Sequence, residues 1–149
     1  MEKNISVTNL MVESHNHIER LFDKFKASIE GDFKLTIRLF DEFKWEFEKH
    51  IFIEEKAIFK FFNLSKNDDY FDVVPNLIKE HDIILETLNE IENNLVIKGS
   101  DDTHRFKELL AKHKNFEEET IYPKLDKELN DSQKNSIFIK INDSFRNLS

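Results

Sequence analysis

Cysteine is missing altogether from this 149-residue chain. That excludes disulfides, a thiolate nucleophile and any zinc or iron–sulfur site built on sulfur. A metal, if there is one, must be held by His, Asp and Glu. Glycine and proline are scarce, two of each, too few to punctuate a β architecture. With Lys, Glu, Leu, Ile and Phe dominant, the balance favours helices, and the expected fold class is all-α. Positive charge is in deficit as well: a net charge of −8 repels a phosphate backbone, and no dense Lys/Arg cluster offsets it, so no nucleic-acid partner is expected. No apolar run approaches the roughly 20 residues of a membrane span, and MEKNISVTNLMVES lacks the apolar stretch of a secretory signal. The expectation is a cytoplasmic protein with no membrane partner, organised as a single domain over 1–149.

Apolar residues recur at three- and four-residue spacing in four long stretches, 7–30, 33–63, 72–97 and 101–129, each the pattern of a helix with one buried stripe. Candidate N-caps precede them: Ser6 or Thr8, Asp32, Asp72, and Ser100 or Asp101. A shorter fifth helix at 132–147, following Asp131, would lay Ile137, Ile141 and Phe145 across the others. Pro75 falls in a first turn, where its missing N–H costs little, whereas Pro123 lies inside the fourth helix and is expected to kink it. The breaks at Gly31-Asp32, at SKNDD (65–69) and at Lys98-Gly99-Ser100 are short, which predicts an up-down-up-down antiparallel four-helix bundle with a short C-terminal fifth helix. Segment FKWEFEKHIFIEEKAIF (43–59) also aligns without gaps on FKELLAKHKNFEEETIY (106–122), so two similar helical hairpins should pack with pseudo-twofold symmetry.

Within this repeat His50 precedes Glu54 by four residues and His113 precedes Glu117 by four, placing each pair on one helical face about a turn apart. One such pair is a weak signal; its recurrence at matching positions is a strong one. In an antiparallel hairpin, residues at the same height are equidistant from the turn. The midpoint between His15 and His50 falls beside Gly31, that between His81 and His113 beside Gly99, and that between His50 and His81 inside 65–69. Four histidines on four helices therefore converge at one level, with Glu54 and Glu117 a turn away. Burying four imidazoles and two carboxylates without a cation is costly, which makes a metal site the expected outcome. His17 lies on the far side of its helix from His15, and His104 has no counterpart at that height, so both are expected in solvent. The fifteen phenylalanines, at helical spacing, are expected to form core.

Imidazole and carboxylate together suit iron or manganese, whereas zinc takes fewer ligands. If both carboxylates bridge, each ion receives two histidine nitrogens and two carboxylate oxygens. A bridging oxo or hydroxo group makes five, leaving an octahedral ion one open position for dioxygen, nitric oxide or peroxide. Glu46, one turn before His50, and Glu80, next to His81, are candidates to orient a ligating imidazole through its other nitrogen.

The segments SHNHIERLF, KHIFIEEKAIF, KEHDIILETL and KHKNFEEETIYPKL resemble the four ligand-bearing helices of the hemerythrin-like HHE family, over about residues 8–129. The resemblance implies two iron ions, with His15, His50, His81 and His113 as terminal ligands and Glu54 and Glu117 as bridges. Oxygen-carrying hemerythrins place a further histidine where this chain has Leu85, and an aspartate where it has Glu118. The chain is more similar to the four-histidine, two-glutamate subgroup, linked to iron–sulfur cluster repair, iron and oxygen sensing, and peroxide or nitric oxide reactions. The expected function is binding of, or reaction with, such a small redox ligand. Its alternatives are iron carriage, sensing or donation to an iron-accepting protein, and, third, reversible oxygen binding; an electron donor is the other partner implied. Whether the protein is an enzyme, and which residue would then be catalytic, is left open by the sequence.

Overall fold

The computed structural model describes residues 6–62, 73–95 and 102–146, and among these there is no strand. Helix α1 is Val7–Ser28. Helix α2 runs over 33–62 as Phe33–Ile53, a π-helical turn Glu54–Ile58, and Phe59–Phe62. Helix α3 is Val73–Asn93; α4 runs over 102–128 as Asp102–Phe116, a second π-helical turn Glu117–Ile121, and Tyr122–Glu128; α5 is Asp131–Arg146. Each of the first four helices packs against its two neighbours, closing an antiparallel bundle, and α5 crosses α2 at its π turn. None of the helices described is long and apolar enough to cross a membrane.

Local chemistry explains where the helices begin. Ser6 caps α1 by accepting from Asn9 N–H, and Asp32 caps α2 by accepting from Lys34 N–H. The α1–α2 corner is tied by Thr36, whose hydroxyl donates to Ser28 O (2.7 Å). The free N–H groups of Val7 and Thr8 donate to the Asp126 carboxylate of α4 at 2.7 and 2.9 Å, joining the start of the chain to its last bundle helix. The helix expected to follow Asp131 begins at Asp131 itself, and its cap is Asn130. Asn130 and Gln133 exchange side-chain and backbone hydrogen bonds as a reciprocal capping box. Asp72, Ser100, Asp101, the breaks at 65–69 and 98–100 and the side chain of Phe145 lie outside the described residues.

Two apolar clusters fill the bundle. One gathers Phe22, Phe25, Phe40, Phe43, Phe47 and Phe106 with aliphatic neighbours; the other holds Met11, Ile58, Phe59, Leu77, Tyr122 and Ile137 of α5. Aromatic edges meet faces at several contacts in the first, as between Phe43 and Phe106 (5.6 Å, 84°), while Phe43 and Phe47 are stacked (5.8 Å, 9°). Walking along α1, Met11 belongs to one cluster and Ile18 to the other, with His15 between; on α3 His81 sits likewise between Leu77 and Ile84. A single polar layer thus divides two dry cores.

The irregularity expected at Pro123 takes another form. The helix widens one turn earlier, at Glu117–Ile121, and Pro123 sits in the first turn of the α-helical segment that follows. The same widening occurs at Glu54–Ile58, where the residue aligned with Pro123 is Lys60. Proline is therefore not its cause; the shared feature is the buried glutamate that opens each π turn.

Candidate metal centre

All six residues singled out by the repeat and by equal distance from the turns meet in the polar layer. His15, His50, His81, His113, Glu54 and Glu117 are buried, and both glutamates are 0% exposed. Their inward atoms form two overlapping groups of four: His15, His50, Glu54 and Glu117, and Glu54, His81, His113 and Glu117. Each carboxylate serves both. Oε1 of Glu54 contacts His50 Nε2, while its Oε2 lies 3.6 Å from His81 Nε2. Oε1 of Glu117 lies 3.4 Å from His15 Nε2, and its Oε2 3.4 Å from His113 Nε2.

The outward nitrogens are engaged. Nδ1 of His15 meets Glu118 at 2.7 Å, that of His81 meets Glu55 at 2.8 Å, that of His113 meets Glu80 at 3.0 Å, and that of His50 meets the Ser14 hydroxyl at 2.8 Å. The arrangement repeats with the fold. The second glutamate of each Glu-Glu pair reaches the neighbouring helix, and the residue before each histidine of α1 and α3 supports the histidine of α2 or α4. With the ring proton on Nδ1, every Nε2 points its lone pair inward.

The π turns supply a second pair of contacts. In an uninterrupted α-helix a residue five positions on lies about 140° around the axis; here the extra residue per turn brings it back over the glutamate. Phe59 N–H thus donates to Glu54 O, and Tyr122 N–H to Glu117 O. The Phe59 ring stacks on His81 (5.7 Å, 17°), and Tyr122 lies against His15 (5.8 Å, 35°) with its hydroxyl donating to Glu54 Oε1 at 3.1 Å.

Electrostatics point to a missing positive charge. Burial works against ionisation of Glu54, but the adjacent His50, with Glu117 and His15 close by, holds its carboxyl well below the usual range. Burial and the Glu54 charge push Glu117 well above that range. Without a cation, burial and mutual repulsion disfavour ionising both carboxylates together. His50 Nε2, His81 Nε2, His113 Nε2, Glu54 Oε2 and both Glu117 oxygens find no hydrogen-bond partner among the described residues. Buried polar atoms are almost always paired, so a convergent set of orphaned nitrogens and carboxylate oxygens fits a metal cation. The space these side chains enclose is about 10 Å³, suited to ions and too small for an organic molecule.

Other expected residues fall elsewhere. Glu80 does orient an imidazole, that of His113 across the helix pair, not that of adjacent His81. Glu46 forms an ion pair with Lys49 at 2.8 Å and lines a cavity of about 420 Å³ that also meets Ser14, His17 and His50. His104 is in solvent beside Glu108, as expected; His17 is only half-exposed, at that cavity. Leu85 lines a surface groove with Lys44, Glu48, Phe52 and Glu55. Sequence reasoning missed Ser14, Glu55 and Tyr122, and it read Glu118 only as a departure. The available signal was the Glu-Glu pair repeated in step at 54–55 and 117–118.

No curated protein and no solved structure matches the chain. The hemerythrin HHE cation binding domain matches over residues 6–131, which takes in all four bundle helices and the whole polar layer. On that match, which spans most of its length, the chain belongs to the hemerythrin HHE cation-binding domain family.

Proposed function

We propose that the polar layer holds two iron ions bridged by Glu54 and Glu117, and that the protein binds or reacts with a small redox ligand such as nitric oxide, peroxide or dioxygen. The observation that carries this reading is the division of each carboxylate, with one oxygen beside the His15/His50 pair and the other beside the His81/His113 pair. Four imidazole nitrogens with two shared carboxylates form a donor set of intermediate hardness, suited to iron and richer than zinc requires. When bound, such a pair supplies two redox equivalents and open coordination positions.

The chain's own residues set the conditions for that chemistry. Glu118, Glu55 and Glu80 accept from Nδ1 of three rings and so fix their tautomer, and the Ser14 hydroxyl can accept from His50 in the same way, so that binding needs little reorganisation. The two apolar clusters exclude bulk water from both sides of the layer. The Tyr122 hydroxyl, 3.1 Å from Glu54 Oε1 and donating to it, holds a proton at the edge of the layer.

The test is anaerobic reconstitution with ferrous iron, followed by separate exposure to nitric oxide, peroxide and dioxygen while spectra and iron content are recorded. Turnover or stable ligand binding with two irons retained is the expected result. Loss of iron to a chelator or apo-acceptor on exposure would instead make the protein an iron carrier or sensor. An oxygen-dependent visible band that vanishes on deoxygenation through repeated cycles would make it an oxygen store. One ion per chain at saturation would overturn the two-iron reading.

A further inference from the structure

We infer that the two metal positions are inequivalent, with the His15/His50 position the weaker and more exchangeable because Ser14 and Tyr122 reduce the donor strength of its ligands. This rests on the two-ion reading above. The pseudo-symmetry of the bundle makes the differences visible, since each residue at one position has an aligned counterpart at the other.

The first difference is behind the rings. At the His81/His113 position both imidazoles donate to carboxylates, Glu55 and Glu80. A carboxylate acceptor pushes electron density toward the opposite nitrogen and strengthens it as a ligand. At the His15/His50 position only His15 has such a partner, Glu118; His50 donates to the neutral Ser14 hydroxyl. Glu55 and Glu118, 29% and 21% exposed, are counterparts that largely cancel, so the contrast lies between Glu80 and Ser14, and the 46% exposure of Glu80 screens it in part.

The second difference is in the bridging oxygens. All four atoms facing the His81/His113 position, both Nε2 atoms and the Oε2 atoms of Glu54 and Glu117, are without a hydrogen-bond partner among the described residues. At the other position the single proton of Tyr122 Oη is donated to Glu54 Oε1 at 3.1 Å, with His15 Nε2 3.4 Å away, so one of the four ligand atoms is already engaged. The counterpart of Tyr122 is Phe59, which has no hydroxyl to compete. A hydrogen bond donated to a carboxylate oxygen withdraws density that a cation would otherwise use. The third difference is access: the cavity of about 420 Å³ reaches Ser14 and His50, giving the weaker position the route to solvent.

The test is an anaerobic titration of the metal-free protein with Co(II), a spectroscopic substitute for ferrous iron, read by calorimetry, visible absorption and paramagnetically shifted imidazole proton resonances. Two steps separated by at least about tenfold are expected, on the scale typical of changes in a ligand's hydrogen-bond partner. Resonances of His81 and His113 should shift in the first step and those of His15 and His50 in the second. Ser14→Glu and Tyr122→Phe should each narrow the gap; Ser14→Ala should widen it, and Ser14→Thr should restore the wild-type value. A single transition taking up two ions, or His15 and His50 shifting first, would overturn the inference even if the variants fail to fold. So would a visible phenolate-to-Fe(III) band in the iron-loaded protein that Tyr122→Phe abolishes, because the hydroxyl would then be strengthening that position. Uptake of one ion in total would instead mean that the two-iron reading had failed.

Discussion

Removing metal should loosen the middle of the bundle before it loosens either end. Six buried polar atoms find no protein partner in the layer, and each such atom costs roughly 1–3 kcal/mol when left unsatisfied. Their sum is of the order of the ~5–15 kcal/mol that holds a domain together, so a metal-free layer must either admit water or shift its protons. Its give should appear at the π turns, where the glutamates enter. Two ions present at about 1,000 times their dissociation constants would add about 4 kcal/mol each. For a domain of this size, 1 kcal/mol moves the melting temperature by about 2–4 °C, giving a difference of roughly 15–30 °C between metal-loaded and metal-free protein. Scanning calorimetry should report that difference. Hydrogen exchange should locate it at 50–59 and 113–122, with the phenylalanine cluster around Phe43 changed least. Superimposable melts with equal protection at the π turns would refute the reasoning, since the site would then be uncoupled from the fold.

Three further outcomes follow from particular contacts. His113→Ala should lose metal while His104→Ala keeps it in full, since His104 is in solvent beside Glu108; metal analysis after reconstitution decides, and equal loss would mean that the wrong histidines were chosen. Asp126→Asn should cost about 1 kcal/mol at neutral pH, the scale of an N-cap. Burial opposes its charge, yet hydrogen bonds from Thr8, Val7 and Ser6 hold the Asp126 carboxyl below its ordinary 3.8. Its contribution is therefore present above about pH 4 and fades as pH falls through the lower folded value. Urea midpoints of wild type and variant should converge in acid, and a constant difference would count against the charge being responsible. Phe43→Ala, which empties a fully buried site among Phe22, Phe47 and Phe106, should cost about 3–5 kcal/mol by denaturant unfolding with metal still bound; a loss under about 1 kcal/mol would show the cluster to be loosely packed.

Helical periodicity carried the sequence a long way. Repetition at 3.6 residues marked the helices, the matched HxxxE pairs marked two ligand faces, and equal distances from the turns placed His15, His50, His81 and His113 at one level. Those properties are local, or follow from antiparallel connection alone, and are therefore written in residue spacing. What supports the ligands is not local. Glu55 and Glu118 each sit one residue, about 100° of helix, beyond an inward glutamate, and by periodicity they read as solvated. Only the position of the neighbouring helix makes them partners of His81 and His15, the latter from 103 residues away in the chain. The π turns belong to the same level of organisation. Nothing in the spacing of Glu54 and Phe59, or of Glu117 and Tyr122, sets an extra residue per turn; both turns open at a glutamate buried among histidines from other helices. Ring five, in each case, is then carried over the cluster, and the choice of Phe in one repeat and Tyr in the other acquires a chemical meaning. The sequence determined which side chains face inward, because a helix repeats by itself; the tertiary structure decided what stands behind them, because that depends on where a second helix lies.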